Sequence, residues 1–350
     1  MGNCLGGVLA GGFILIWGLF WTAGTLFFDY TCAKGLYQQH SSKQYASTEG
    51  QVVSSGVDTS RDSDGSSYTP KIHYRYQVKG REYHGERIRY GTAFNTYTLA
   101  HAFAAQHPAL STVTVYYDPR NPSESLLQTG INGTDLFFII FLVPFNAIMF
   151  GCWWFVLGAL RNWISPPVAG GVRIIDDGLA TRVRLPEKSA AAWGVGTLTL
   201  VSFASIFVIA FGSGGNPSLS TTVVAIIVAV GTGAYVYNRI DAPVRAGEKD
   251  LVIDEARRCV TLPCTQARAF PVDLALAQLR RVDVELETTS DGEGGVNKTY
   301  IPALVYREND AERKARLKSF SDEKLAAAFA MWLEQRLRLK STNTATVENL

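Results

Sequence analysis

Residues 136–160, Leu-Phe-Phe-Ile-Ile-Phe-Leu-Val-Pro-Phe-Asn-Ala-Ile-Met-Phe-Gly-Cys-Trp-Trp-Phe-Val-Leu-Gly-Ala-Leu, contain no Asp, Glu, Lys or Arg. A helix needs about 20 mainly apolar residues to cross a hydrocarbon layer of about 30 Å, and this stretch exceeds that length. The same four charged residue types are missing from Leu5–Phe28, Ala190–Phe211 and Leu219–Asn238, the last two being richer in Gly, Ser and Thr. Together these segments predict a polytopic α-helical membrane protein with four spans. The remainder predicts an extracytoplasmic β-rich domain at 29–135, a connection at 161–189, and a cytoplasmic α+β domain, a sheet plus a C-terminal helix, at 239–350.

The orientation follows from flanking basic residues, which concentrate on the cytoplasmic side of a membrane. Arg161, Arg173, Arg182, Arg184, Lys188, Arg239, Arg245 and Lys249 lie on one side, against Lys34 and Lys43 on the other. Both termini are therefore expected in the cytoplasm of a bacterial cell, with the protein in its inner membrane. The first span lacks a basic leader, and its apolar run is too long for a cleaved signal peptide, so an uncleaved anchor is expected. The net charge of +2 gives no reason to expect a nucleic-acid partner.

Within 29–135, Tyr30–Ser67 is polar and Ser-rich and reads as a stalk, with one strand-like piece at Gly50–Val57. Ile72, Tyr74, Tyr76 and Val78 then alternate with His73, Arg75, Gln77 and Lys79, the period of a half-buried strand. Gly80 marks a hairpin. The parity change between Tyr83 and Ile88 predicts a bulge at Gly85. Asn95 is expected to cap a short helix ending before Pro108, with Leu99 and Phe103 on one face. Val113, Val115 and Tyr117 restore the strand period, which stops at Asp118-Pro119-Arg120-Asn121-Pro122, where Asp118 can close an Asx turn.

Tyr74-x-Tyr76-x-Val78-x-Gly80, then Tyr83-x-Gly85, then Val115-Tyr116-Tyr117-Asp118-Pro119-x-Asn121-Pro122 resemble an uncharacterised family of bacterial integral membrane proteins. In that family a domain of unknown function sits between two membrane helices. The resemblance covers roughly Leu5–Trp163 and implies a bacterial envelope protein. It supplies no catalytic residue.

After the fourth span, Asp250–Asp254 and Arg258–Leu262 read as a hairpin, and an echo of that pattern at 175–186 suggests another hairpin in the same sheet. Val282, Val284 and Leu286 alternate with Asp283, Glu285 and Glu287. The cluster Asp291-Gly292-Glu293-Gly294-Gly295 predicts a turn into a partner strand at Tyr300–Tyr306. Ser321 is expected to cap a final helix over 322–339, whose stripe of Leu325, Phe329, Trp332, Leu333 and Leu337 should pack on the sheet. The alternative is a place in the membrane interface, with Arg336, Arg338 and Lys340 at lipid headgroups. The element order is similar to the pleckstrin-homology-like architecture.

Sites are sparse. His40, His73, His84, His101 and His107 are all in the first polar segment, but their spacing builds no metal cluster. Of Cys4, Cys32, Cys152, Cys259 and Cys264, only Cys32 lies there, so no internal disulfide framework is expected. Cys259 and Cys264 lack the spacing of a zinc or redox pair. No ionisable group lies inside the four segments as read. Their strongest polar residue is Asn146, two positions after Pro144, where a proline kink satisfied locally is expected and a substrate site at a broken helix is the alternative. Small residues at Gly7 and Gly11, and at Ala225, Ala229 and Gly233, are spaced for close helix packing.

No catalytic, cofactor-binding or metal-binding residue is identified, and no cofactor is expected. The expected function is a membrane-embedded interaction, sensing or scaffold protein of the envelope. Its expected partners are lipids and another envelope protein, or a second copy meeting it through small-residue helix faces. The alternatives are a transporter or channel subunit, and an envelope enzyme using carboxylates such as Asp118 or Glu86.

Overall fold

The computed structural model describes residues 2–62, 65–91, 97–164, 168–186, 188–213, 216–265, 268–290 and 296–339. It forms two compact units, Met1–Val156 with Val195–Ala234, and Leu157–Gly194 with Tyr235–Leu350.

The first unit begins with a single helix, α1 (Gly2–Ser41). It runs well past Phe28, so Tyr30–Ser67 is not a stalk: it is helix to Ser41 and then strand β1 (Ala46–Asp62). The polar side chains of 29–41 mislead because a helix satisfies its own backbone wherever it runs. Two of its polar residues, Thr25 and Gln39, are buried. Strands β2 (Gly65–Val78) and β3 (Arg81–Gly85), helix α2 (Tyr97–Gln106), and strands β4 (Thr112–Asp118) and β5 (Asn121–Leu126) follow. The strands form one antiparallel sheet in the order β3-β2-β1-β4-β5.

The period-two pattern survives intact. Ile72, Tyr74, Tyr76 and Val78 are buried with Val52, Val113 and Val115, and Phe103 and Ala104 of α2 pack on that face. Lys79 and Gly80, both at positive φ, make the two-residue hairpin turn. Gly85 is not a bulge. It pairs in register with Tyr74, and the irregularity of this sheet region lies in β1 between Val52 and Ser54. Glycine stands at 85 because a Cβ there would be 2.5 Å from the Tyr74 ring and from Ser125 Oγ. Asp118 Oδ1 accepts from the Arg120 amide at 2.9 Å, the expected Asx turn. The strand stops at Asp118 as expected, and β5 then resumes the pairing after a register shift. Asn95 lies outside the described residues.

Helices α3 (Gly133–Ile164), α4 (Ala190–Gly212) and α5 (Leu219–Arg245) complete the apolar part. Over Gly133–Arg161, Ala190–Gly212 and Leu219–Arg245 they are long and apolar enough to cross a membrane. The small-residue stripe of α5 is used within the chain, since Ala229 is buried and Ala225 packs against Phe137, Ile140 and Ile209. The side chains of residues 7 and 11 are outside the description.

In the second unit, β6 (Arg173–Asp176), β7 (Ala180–Arg184), β8 (Asp250–Asp254), β9 (Cys259–Leu262) and β10 (Val272–Ala275) form a sheet in the order β10-β9-β8-β7-β6. The hairpin at 173–184 thus joins the sheet whose sequence pattern it echoes. A second sheet, β11 (Leu279–Ser290), β12 (Val296–Glu308) and β13 (Ala311–Arg316), carries a charged face. Arg281, Asp283 and Glu285 on β11 pair with Glu312, Lys314 and Arg316 on β13 across Ala303 and Val305 of β12. The turn at 291–295 is outside the described residues.

The other face of this sheet meets α6 (Glu323–Leu337). Phe329 and Leu333 are completely buried in a core shared with Leu251, Ile253, Val260 and Leu304. The apolar stripe therefore packs inside the domain. Three expectations change in detail. Asp322, not Ser321, caps the helix, its carboxylate accepting from the Lys324 amide at 2.8 Å. The helix stops at Leu337, with Arg338 left-handed, and Lys340 is outside the described residues. Val284 and Leu286 are 39% and 55% exposed, since α6 covers only the proximal part of β11.

Two predictions follow from this packing. Phe329→Ala should destabilise the second unit by about 3–5 kcal/mol, whereas Trp332→Ala, at a half-buried position, should cost less; denaturant unfolding of the full chain reads both. Gly85→Ala should cost about 1–3 kcal/mol by overpacking against Tyr74, and pairing it with Tyr74→Leu should recover part of the loss.

Candidate functional site

The site with the most converging polar chemistry lies where the first sheet meets α1 and α3. It starts from a helix cap. Asn132 Oδ1 accepts from the Asp135 amide at 3.1 Å, and Asp135 Oδ2 accepts from the Asn132 amide at 2.9 Å, a reciprocal capping box at the start of α3. The same Asp135 carboxylate pairs with the Arg89 guanidinium, which donates to it through Nη2. Both side chains are more than nine-tenths buried, at 8% and 4% exposure.

Gln39 fixes α1 to the same place. Its amide donates to the carbonyls of Gln128 and Gly130 at 3.1 and 2.8 Å, and its Oε1 accepts from the Tyr90 amide at 2.9 Å. Beside it the Tyr45 and Tyr90 hydroxyls lie 2.9 Å apart. Burial, and then that hydrogen bond, push the Tyr45 hydroxyl well above the ordinary tyrosine range.

A cavity of about 440 Å³ opens against this network. Arg87, Arg89, Leu99, Phe103, Asn132 and Thr134 line it, with Asn216 from the α4–α5 connection. Arg89 Nε is buried with no hydrogen-bond partner among the described residues. An N–H donor so placed costs free energy; the cavity itself is walled by polar groups of Arg87, Asn132, Thr134 and Asn216, which suit a ligand carrying oxygen acceptors. Sequence reasoning missed this site. Arg89 lies in the irregular chain after β3, and nothing in its neighbours signals that it turns inward.

A second recess, of about 660 Å³, lies in the other unit. Arg258, Arg280, Arg336 and Arg338 line it with Glu255, whose carboxylate holds Arg336 at 2.6 Å. These arginines come from a turn, a strand and the end of α6, so only folding brings them together.

The residues singled out from sequence fare unevenly. Asp118 is occupied in its turn, and Glu86 is exposed, 3.8 Å from His73. The structure does not bring those carboxylates into a shared acid–base arrangement. His84 lies beside Glu82, the His101 ring lies tilted against that of Tyr97, and His107 Nδ1 is 2.9 Å from the Phe103 carbonyl. Among the described residues no three His, Cys, Asp or Glu converge as metal ligands. Cys259 and Cys264 are both half-buried, and burial raises the Cys259 thiol above its ordinary range. Asn146 is not satisfied by local backbone alone. Its Nδ2 donates to Leu142 O at 3.2 Å and to Asp29 Oδ1 of α1 at 3.0 Å.

Residues 48–132 match a family described as a domain of unknown function (DUF3592). The matched segment contains the first sheet except the first two residues of β1, together with α2 and Arg89, and it ends at the Asn132 cap of α3. It is narrower than the resemblance over Leu5–Trp163. No curated protein and no solved structure matches the chain.

Because Asp135 both caps α3 and neutralises Arg89, Asp135→Asn should cost about 3–5 kcal/mol, the usual penalty for leaving one buried charge unpaired. Adding Arg89→Met should return much of that stability. Thermal unfolding of the purified protein in detergent checks both.

Proposed function

We propose that this chain is a membrane-embedded sensing or interaction protein of the bacterial inner membrane. In this reading it has four spans, α1 being the first and α3, α4 and α5 the others. The DUF3592 domain faces outward, and the second unit and both termini lie in the cytoplasm. The basic-residue asymmetry supports the orientation.

The observation that carries the functional reading is the cavity lined by Arg87, Arg89, Asn132 and Thr134 beside the cap of α3. A partner group entering it touches the sheet, α2 and the first residues of α3 at once. Occupancy would then bias the Arg89–Asp135 pair, and with it the position of the helix that the pair caps. The arginine-lined recess of the second unit supports an acidic partner on the cytoplasmic side. Two sheets closed by a C-terminal helix support the pleckstrin-homology-like comparison at the level of architecture. The Asp29–Asn146 pair favours one further reading, a transporter or channel subunit, because ionisable groups within spans mark pathways.

Alkaline phosphatase fused after Tyr90 or Asn216 is expected to be active, and fused after Leu350 inactive. Activity from the Leu350 fusion would overturn the orientation. With a photo-crosslinking amino acid at Leu99, on the cavity wall, irradiation of intact cells should yield a discrete adduct with an envelope protein or a second copy. A membrane-assembled protein that yields none would sink the interaction reading.

A further inference from the structure

By sequence alone Asp29 is the first residue beyond a span. The folded register places it elsewhere. Asp29 meets Asn146, Thr22 meets Trp153 Nε1 at 2.8 Å, and Trp21 Nε1 reaches the Phe145 carbonyl at 3.2 Å, so α1 runs antiparallel to α3. Along α3, Asn146 is eleven residues from Asp135 and fifteen from Arg161, the charged residues that bracket the apolar run. Those separations are about 16 and 22 Å of helix. If α3 crosses the membrane as proposed above, Asp29 lies near the middle of a hydrocarbon layer of about 30 Å.

An ionisable side chain at that depth is expensive and calls for a partner. Among the described residues no Lys or Arg lies within ion-pairing distance of Asp29, and only its Oδ1 is hydrogen-bonded. The carboxylate and Asn146 lie on a cavity of about 460 Å³, walled by Leu142 and Phe150 of α3 and by Val195 and Leu198 of α4. A second cavity of about 330 Å³ shares Leu142 and is lined by the rings of Phe20, Trp21, Phe28, Phe141 and Phe145. Apolar walls, one carboxylate, and aromatic faces close by suit one ligand chemistry. A lipophilic monovalent cation would bury its hydrocarbon, neutralise Asp29, and gain from ring faces.

We propose that the α1–α3–α4 cavity is a binding site for lipophilic organic cations, with Asp29 as the counter-ion and Asn146 as the residue that orients the carboxylate. The site rests on the transmembrane reading of α3 but on neither the orientation nor the outer-domain partner.

The test uses full-length protein in detergent and tetraphenylphosphonium, a permanent monocation. Equilibrium dialysis should show saturable binding to the wild type, and binding at least about tenfold weaker to Asp29→Asn, the scale of losing one buried charge partner. Gel filtration checks that the variant remains folded. A second arm needs no variant. Dicyclohexylcarbodiimide, which modifies carboxyl groups in apolar surroundings, should label Asp29, and tetraphenylphosphonium should slow that labelling in a concentration-dependent way. Equal binding by Asp29→Asn, which would mean simple hydrophobic partition, overturns the proposal. So does labelling that the cation leaves unchanged, which would mean that the cation does not sit at this carboxyl group. The phosphatase fusions are read separately, so a failed cation site and a failed topology are distinguishable.

Discussion

The arrangement of the first unit depends on one buried carboxamide. Gln39 engages both ends of its amide with backbone groups, those of Tyr90 after β3 and of Gln128 and Gly130 just before α3. A polar group 1% exposed is tolerable only when its hydrogen bonds are complete, so the position of α1 along α3 cannot slide by a residue without orphaning three partners. Everything below that clamp inherits its register. Asp29 comes level with Asn146, Thr22 with Trp153, and Gly18 with Cys152, whose sulfur a Cβ at residue 18 would meet at 2.8 Å. Everything above it inherits a fixed base, including the Arg89–Asp135 pair and the cavity beside it.

The second unit is held on different terms. Its ladder of ion pairs over β12 is mostly solvent-exposed, and such pairs contribute little individually. Their long side chains matter more as cover, because they lie over Ala303 and Val305, which are fully buried. The organising term is apolar. Two sheets and one helix share a single core, and Phe329 and Leu333 sit at its centre. Arg336 then ties α6 to the first of those sheets through Glu255 and Thr181. The sheet edge and helix end that carry the clustered arginines are thereby held in place.

The proposed interaction or sensing role rests on three recesses of different chemistry. The cavity beside the first sheet offers arginine and amide donors, the arginine recess offers positive charge, and the cavity between α1, α3 and α4 offers the Asp29 carboxylate among apolar side chains. Each asks for a complementary group from another molecule. None pairs a nucleophile with a base, and the carboxylates at Asp118 and Glu86 are spent on a turn and on solvent.

Sequence by itself determined the local elements. Runs free of charge had to be helices wherever they met lipid, because only a helix or a closed barrel satisfies its backbone there. Alternation fixed the faces of β2, β4 and the proximal part of β11, and turn chemistry fixed the hairpin at Lys79–Gly80 and the Asx turn at Asp118. What it could not decide were matters of partnership between distant segments. Polarity alone made 30–41 look like a stalk, but helix continuation depends on what lies beside it, and there α3 accepts Asp29 while the clamp accepts Gln39. Gly85 was legible as special, yet its reason, the Tyr74 ring, comes from across the hairpin. Arg89 and Asp29 were invisible as site residues for the same cause. A charge is functional or merely solvated according to its surroundings, and those surroundings are assembled only when helices and sheet close around it.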